Sequence, residues 1–187
     1  SLPGYIHIDE FEFESAQGFG SASENITEIW AYSNDQLLGA YDLPADIPVI
    51  DLGTTNILLR AGIKNNGISA TRIQYPFYTD YRQDVGLEAF ETDTIRPYFT
   101  YKEISPMAFA DDFDSGTLFV MEASSQGEFE VTNDTENVFE GNGSGRGVID
   151  EGEDIFRIKS FDQNIWFPDF SQTFLEMDYK CNNTFAV

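Results

Sequence analysis

The chain has 187 residues, a length that suits either one large domain or two small ones. Hydrophobic residues make up 41% of the chain and aromatic residues 15%, which is enough for a packed core and excludes an intrinsically disordered protein. The 33 acidic residues against 10 basic ones give a net charge of −23, which argues against nucleic acid or an anionic membrane surface as partners and favours cations or neutral ligands.

The spacing of short apolar segments predicts an all-β fold. Gly, Pro, Asn and Asp interrupt the chain about every eight to twelve residues, and few stretches keep the apolar period of a helix. In the first segment, Ile6 and Ile8 fall on even positions whereas Phe11 and Phe13 fall on odd ones. This change of parity predicts a bulge at residues 9–10, or a strand that passes from one sheet to another.

The remaining predicted strands fall into two groups. Those of the first group lie at residues 27–33, 37–43, 49–52 and 56–60, followed by an aromatic-rich stretch at 73–82 and a partly alternating one at 93–101. Those of the second group lie at residues 118–123, 129–132, 147–149, 155–159 and 173–181, with a glycine-rich turn at 141–145. We expect the boundary between two domains, 1–105 and 106–187, near Ile104-Ser105-Pro106.

The second domain is predicted to be incomplete. A jelly-roll needs about eight strands, and about five are predicted after residue 106. We therefore expect two β-sandwich units, the second of them a truncated jelly-roll. Such a unit exposes an apolar face and unpaired strand edges, so we expect the first unit or another copy of the chain to cover that face.

Several segments resemble one group of bacterial proteins. These segments are Tyr5-Ile6-His7-Ile8-Asp9, residues 27–32, 36–44, 61–72 and 75–78, Asp112-Phe113-Asp114, and residues 175–180. In them the chain resembles Bacteroidetes-type envelope lipoproteins. The resemblance implies an immunoglobulin-like or PEGA-like sandwich over residues 1–105 and the N-terminal part of a galactose-binding-like jelly-roll over residues 106–187. It also implies an extracytoplasmic protein at the outer membrane or cell surface of a Gram-negative bacterium, held by a lipid anchor upstream of residue 1.

Residues for common catalytic sites are scarce. His7 is the only histidine and Cys181 the only cysteine, which excludes an intrachain disulfide and a zinc site built from several His or Cys ligands. No serine lies in a G-x-S-x-G nucleophile elbow, and we expect Cys181 to be a small buried hydrophobe. Paired carboxylates for glycoside hydrolysis stay an open alternative, although no segment marks one acid as desolvated. The sequence therefore predicts a non-enzymatic protein.

Five aromatic residues are candidates for stacking on sugar rings. They are Trp30, Tyr75, Tyr78 and Tyr81 in the first unit and Trp166 in the second. An exposed aromatic ring with a polar edge suits the face of a pyranose. The alternative is that these residues are core residues or cross-strand pairs, as alternating aromatic residues in strands more often are.

Two acidic segments concentrate the oxygen ligands that Ca²⁺ prefers. They are residues 111–114 and 150–154, and neither matches an EF-hand loop. Galactose-binding-like domains often hold a structural calcium ion, so the resemblance makes Asp112 and Asp114 the candidate ligands. The alternative is that both segments are solvated acidic loops.

The predicted function is that of a surface binding or adhesion module, in which the jelly-roll recognises a glycan and the first sandwich is a spacer. One alternative is a structural or assembly subunit that contacts other envelope proteins, or further copies of itself, without a small ligand. Another alternative is an accessory region of a glycoside hydrolase. Glycan binding that depends on Trp166 favours the first function, whereas an oligomer without glycan binding favours the second.

Overall fold

The computed structural model of the protein describes residues 2–15, 21–103, 107–161, 164–184 and 186. Within these residues the chain forms 14 β-strands, one short 3₁₀ helix and no α-helix, so the predicted all-β class is confirmed. The chain divides into two compact units, Ser1–Ser105 and Pro106–Val187, which we call unit 1 and unit 2. The predicted boundary residues Ile104-Ser105-Pro106 themselves lie outside the described residues.

The described residues of unit 1 form ten strands. They are β1 (Gly4–Ile8), β2 (Glu12–Glu14), β3 (Glu28–Ser33), β4 (Gln36–Asp42), β5 (Ala45–Val49), β6 (Gly53–Lys64), β7 (Arg72–Gln74), β8 (Tyr81–Leu87), β9 (Thr92–Thr94) and β10 (Tyr98–Thr100). Three of them form a sheet in the order β5-β1-β9, and β10 pairs with β2. The other five form a second sheet in the order β4-β3-β6, with β7 and β8 both paired to β6.

The core of unit 1 is formed by side chains from both sheets. Burial alternates along β1 and β5, as expected for strands with one face turned to the interior. The fully buried aliphatic side chains include Ile6, Ile8, Ile47 and Val49 in one sheet and Ile29, Ile57, Leu59 and Leu87 in the other. Because each set lies on one face of its sheet, unit 1 is a β-sandwich.

The predicted change of parity in the first strand is confirmed. β1 pairs antiparallel with β5 and parallel with β9, whereas β2 pairs parallel with β10. The chain therefore passes from one paired segment to another between Ile8 and Glu12. This step turns Ile6 and Ile8, and then Phe13, towards the interior despite their different parity.

The edge of β6 is left open between β7 and β8. β7 pairs with β6 up to Gln74, which lies opposite Gly62, and β8 begins at Tyr81, which lies opposite Leu59. Tyr75 N still donates to the Ala61 carbonyl of β6 at 2.9 Å. Residues 76–80 then leave this edge and bond to the chain around β10, where Thr79 N donates to the Thr100 carbonyl at 2.8 Å. Pro76 suits this departure because it has no N–H to donate to a sheet ladder.

Four short strands lie in the part of unit 2 that the structure describes. They are β11 (Phe119–Met121), β12 (Glu128–Thr132), β13 (Ser144–Val148) and β14 (Ile158–Ser160). β11 pairs with β14 and β12 with β13, each pair antiparallel. The predicted strand at 173–181 is wrong, because the structure assigns no strand there. Alternation alone does not make a strand, since β-propensity depends on the surrounding sheet.

The predicted glycine-rich turn is also shorter than expected, because β13 starts at Ser144 rather than Gly147. Gly145 and Gly147 share one face of β13, where aromatic rings lie against the backbone. A Cβ on Gly145 would lie 2.6 Å from the ring of Phe113, and a Cβ on Gly147 would lie 2.5 Å from the ring of Phe156. The glycines therefore make room for these rings.

Burial in unit 2 differs sharply from burial in unit 1. Among the described residues of unit 2, Gly143 alone is buried. Large apolar side chains that are exposed include Phe139, Phe161, Phe167 and Phe170. Large apolar side chains are thus exposed in unit 2, whereas an apolar sheet face, the jelly-roll topology and the surface that covers this face stay predictions.

Candidate ligand-binding site

Two of the five candidate aromatic residues belong to the core. Tyr75 and Tyr78 are 6% and 4% exposed, which agrees with the alternative that they are core residues. The ring of Tyr78 lies 4.5 Å from that of Tyr75, 5.0 Å from that of Phe13 and 5.1 Å from that of Tyr101. This aromatic cluster fills the end of the sandwich where residues 75–80 meet β10.

The other three candidates lie in different places. Tyr81 lies opposite Leu59, on the inner face of its sheet, and its hydroxyl donates to Gln83 Oε1 at 2.5 Å. Partial burial raises the pKa of Tyr81 above its ordinary value. Trp166 is 68% exposed in unit 2, and Trp30 is partly exposed on β3 of unit 1. The structure therefore does not bring the five predicted residues into one site.

Trp30 shares the outer face of the five-stranded sheet with a second aromatic residue. Along β3, Ile29 and Ala31 enter the core, so Trp30 and Tyr32 point the other way. The register with β6 places Trp30 opposite Arg60. Sequence reasoning missed Tyr32, although its position two residues after Trp30 in a predicted strand is a signal for a shared face.

Arg60 is held in place by four contacts. Its Nε and Nη2 donate to Asp80 Oδ1 and Oδ2 at 3.1 and 3.0 Å, and its Nη1 donates to Gln74 Oε1 at 3.2 Å. Its guanidinium lies over the ring of Tyr32, 5.3 Å from the centroid. The hydrogen bonds to Asp80 raise the pKa of Arg60, although partial burial lowers it somewhat. We call Trp30, Tyr32, Arg60, Gln74 and Asp80 the outer-face site.

The network of the outer-face site is closed by Gln74. Its Nε2 donates to the hydroxyl of Tyr32 at 2.6 Å, while its Oε1 accepts from Arg60. Each planar side chain is thus fixed by at least one other, and little conformational freedom is left to lose when a ligand binds. Arg60 and Gln74 were not predicted from the sequence, because their partners lie far away in the chain.

A buried carboxylate lies beneath Trp30. Glu28 is 0% exposed, and its Oε1 accepts a long hydrogen bond of 3.4 Å from Trp30 Nε1. Its Oε2 accepts no hydrogen bond from the described residues, but it lies 3.4 Å from Nε of Arg72. Arg72 also pairs with Asp42 at 2.9 Å, and this hydrogen bond raises the pKa of Arg72. The carboxylate therefore helps to hold both Trp30 and Arg72.

Gly62 makes room for this arrangement. It lies opposite Glu28 in the register of β3 and β6. A Cβ at this position would lie 2.5 Å from Glu28 Cγ and 2.9 Å from Trp30 Nε1. The absence of a side chain on Gly62 thus allows the Glu28 carboxylate and the Trp30 indole to lie against β6.

A cleft adjoins the outer-face site where the edge of β6 is open. Its volume is about 350 Å³, near the lower end of the range for small-molecule sites. The polar side chains that line it are those of Arg60, Gln74, Thr79, Asp80 and Lys102. Trp30 lies opposite Arg60 on β3 and does not itself line the cleft.

The candidate calcium ligands have local structural contacts. Asp112 Oδ1 accepts from Asp114 N at 3.0 Å, and Asp114 Oδ1 accepts from Asn142 N at 2.5 Å. No group of three or more His, Cys, Asp or Glu side chains in the described ranges is placed to hold a metal ion. A bound calcium ion at Asp112 and Asp114 therefore stays a prediction.

The second acidic segment likewise contacts the backbone. Glu153 Oε1 accepts from Gly127 N at 3.0 Å, and Glu153 Oε2 accepts from Asp150 N at 2.7 Å. These bonds hold the acidic turn against the start of β12, so the carboxylate of Glu153 has a structural role.

The single histidine and the single cysteine lie in different units. His7 Nδ1 is 2.7 Å from Asp46 Oδ1, its register partner on β5. Cys181 is exposed and lies outside any strand of unit 2, so the expectation of a buried cysteine is wrong. The described part of the chain holds no helix with the length and apolar character of a membrane span.

Comparisons with known proteins leave the family open. No family model matches the chain, and no curated protein or solved structure compared with it matches either. The resemblance to Bacteroidetes-type envelope lipoproteins therefore stays a prediction. The function must be argued from the geometry of unit 1 and the surface of unit 2.

Proposed function

We propose that the chain is a non-enzymatic binding module that recognises carbohydrate, or mediates adhesion through it, at the outer-face site of unit 1. The observation that carries this proposal is that Trp30 lies opposite Arg60, whose fixed network with Gln74 and Asp80 lines an open cleft. This proposal moves the glycan site from unit 2, where the sequence places it, to unit 1.

The chemistry of the outer-face site suits a sugar. The indole of Trp30 offers an apolar face on which the C–H groups of a pyranose can stack. Arg60 offers donors and Asp80 and Gln74 offer acceptors, and adjacent hydroxyl groups of a sugar both donate and accept. Because this network is already formed in the free protein, binding costs little side-chain entropy.

The location belongs to the same proposal. We infer an extracytoplasmic lipoprotein at the outer membrane or cell surface of a Gram-negative bacterium, on the resemblance given above. A net charge of −23 would keep such a surface module soluble and away from anionic lipid headgroups.

The first test is glycan binding by the full chain and by two tryptophan variants. We expect binding on a glycan array and in calorimetry, and we expect Trp30→Ala to weaken it by about tenfold or more because the stacking face is lost. Trp166→Ala is the matched control and should leave the affinity unchanged. A chain that binds no glycan, or that loses binding only with Trp166→Ala, contradicts the proposal.

A second candidate function is that of an assembly protein that contacts other envelope proteins through unit 2. The observation that favours it is that unit 2 has no buried apolar side chain among its described residues. Two-stranded sheets are only marginally stable alone and gain stability by pairing or packing. Unit 2 has 17 acidic and 4 basic residues, so a partner strand with an apolar face and a basic rim fits it better than a second copy.

Dye binding and light scattering test this second candidate. We expect the isolated chain to be monomeric and to enhance the fluorescence of the hydrophobic dye ANS through its exposed apolar face. The double variant Phe161→Ser/Phe170→Ser should reduce this enhancement, whereas Phe90→Ser in unit 1 should not. An isolated chain without dye binding removes the candidate, and a stable oligomer makes a second copy the partner.

A further inference from the structure

Lys102 is a half-buried cation in the cleft of unit 1. Its Nζ donates to the Pro76 carbonyl at 2.7 Å, which holds the ammonium group at the lining of the cleft. Within the described part of the chain, no ion pair includes Lys102. This is notable in a chain where acidic residues outnumber basic ones by 33 to 10.

The two cations that line the cleft, Arg60 and Lys102, have N–H donors that the structure leaves unused. An ammonium group has three N–H donors and a guanidinium group five. Hydrogen bonds to the described residues use one donor of Lys102 and three of Arg60. Both oxygens of Asp80 already accept from Arg60. Among the charged groups that line the cleft, two are cations and one is an anion. A ligand group that only accepts hydrogen bonds and carries a negative charge would satisfy the remaining donors.

We propose that the outer-face site takes a sugar that carries a carboxylate, such as a uronic acid, and that Lys102 and Arg60 bind this carboxylate in the cleft. This inference rests on the proposed function, since it names the class of sugar for the same site. The pyranose ring lies beside Trp30, and its carboxylate accepts hydrogen bonds from Lys102 Nζ and from the remaining N–H groups of Arg60. Hydrogen bonds between charged groups are about twice as strong as those between neutral ones.

The net charge of unit 1 opposes this binding only at long range. Unit 1 has 16 acidic and 6 basic residues, so its field repels an approaching anion. At physiological ionic strength the Debye length is about 8 Å, and charges farther away than this are largely screened. Contacts within the cleft are much shorter than this length, so the unused donors of Arg60 and Lys102 decide which group binds there.

Matched pairs of oligosaccharides test the inference. Each pair has one linkage and differs only in a uronic acid or its neutral parent hexose, for the gluco, galacto and manno series. For the series that binds, we expect the acidic member to bind about tenfold or more tightly than the neutral one. Lys102→Gln should remove this preference, whereas Lys102→Arg should keep it. Lys64→Gln, on the same strand as Arg60, is the control and should leave the preference unchanged. Urea unfolding of Lys102→Gln checks that the variant keeps the stability of the parent.

The outcomes separate this inference from the proposed function. Equal binding of both members of a pair, or an acid preference that survives Lys102→Gln, overturns the inference but keeps the outer-face site as a glycan site. Binding of neither member in any series overturns the proposed function itself. Both proposals are supported if Trp30→Ala abolishes the binding of both members of a pair and Lys102→Gln removes only the preference for the acidic member.

Discussion

We expect Phe99→Ala to lower the free energy of unfolding of unit 1 by about 3–5 kcal/mol, the usual cost of removing a buried phenylalanine side chain. Phe99 is 0% exposed on β10, and its ring lies 6.3 Å from that of Phe11. The loss includes the transfer of the ring from water and the cavity that remains among packed neighbours. Because a small domain is stable by about 5–15 kcal/mol, such a change is severe.

Urea unfolding measures this effect in a background that reports unit 1 alone. The chain has two tryptophans, so in a Trp166→Phe background the fluorescence of Trp30 follows unit 1. The matched control is Phe90→Ala, because Phe90 belongs to the same unit and is 69% exposed. We expect a change of about 0.5 kcal/mol or less for Phe90→Ala. Similar losses for the two variants would mean that β10 does not lie at the core of the sandwich.

The second large effect is expected from Gly62→Ala, which should destabilise unit 1 by about 1–3 kcal/mol, the usual cost of overpacking. The new methyl group would lie 2.5 Å from Glu28 Cγ and 2.9 Å from Trp30 Nε1. Glu28 is fully buried and has little space in which to move, so the indole of Trp30 must shift instead. We therefore also expect weaker glycan binding, since Trp30 is the stacking face of the outer-face site.

Gly86→Ala is the control for this second effect. Gly86 lies on β8 of the same sheet, and no atom lies within 4 Å of the position that its Cβ would take. Alanine there should be neutral, or stabilising by up to about 1 kcal/mol, because it restricts the unfolded chain. Urea unfolding measures the stability of each variant. The emission maximum of Trp30 reports a shift of the indole, and calorimetry measures the affinity for the glycan. Equal stability of the two variants would show that Trp30 does not lie over Gly62.

The candidate site changes the meaning of the net charge. A chain of charge −23 repels anions on average, and from composition alone a cation or a neutral ligand was the expected partner. The cleft of unit 1 has the opposite local balance, because Asp80 is already paired with Arg60 and Lys102 bonds only to a carbonyl among the described residues. The net charge thus affects the approach of a ligand from a distance, whereas the positions of individual donors and acceptors determine which ligand binds.

The aromatic residues show what residue type can and cannot predict. Alternation along β3 correctly separates Trp30 from the core residues Ile29 and Ala31, because successive side chains in a strand point to opposite faces. The alternation along a strand cannot predict the burial of Tyr75 and Tyr78, because these residues lie where the chain leaves β6 to meet β10. They are buried because that crossing brings them against Phe13 and Tyr101.

The all-β class and the change of parity in the first strand could be predicted from the sequence, because both depend on the period of neighbouring residues. The residues of the outer-face site come together only in the folded chain. Arg60 meets Asp80 across 20 positions and Gln74 meets Tyr32 across 42, through strand pairing that no local pattern records. The same holds for unit 2. Its apolar residues can be read from the sequence, but their exposure depends on which other residues pack against them.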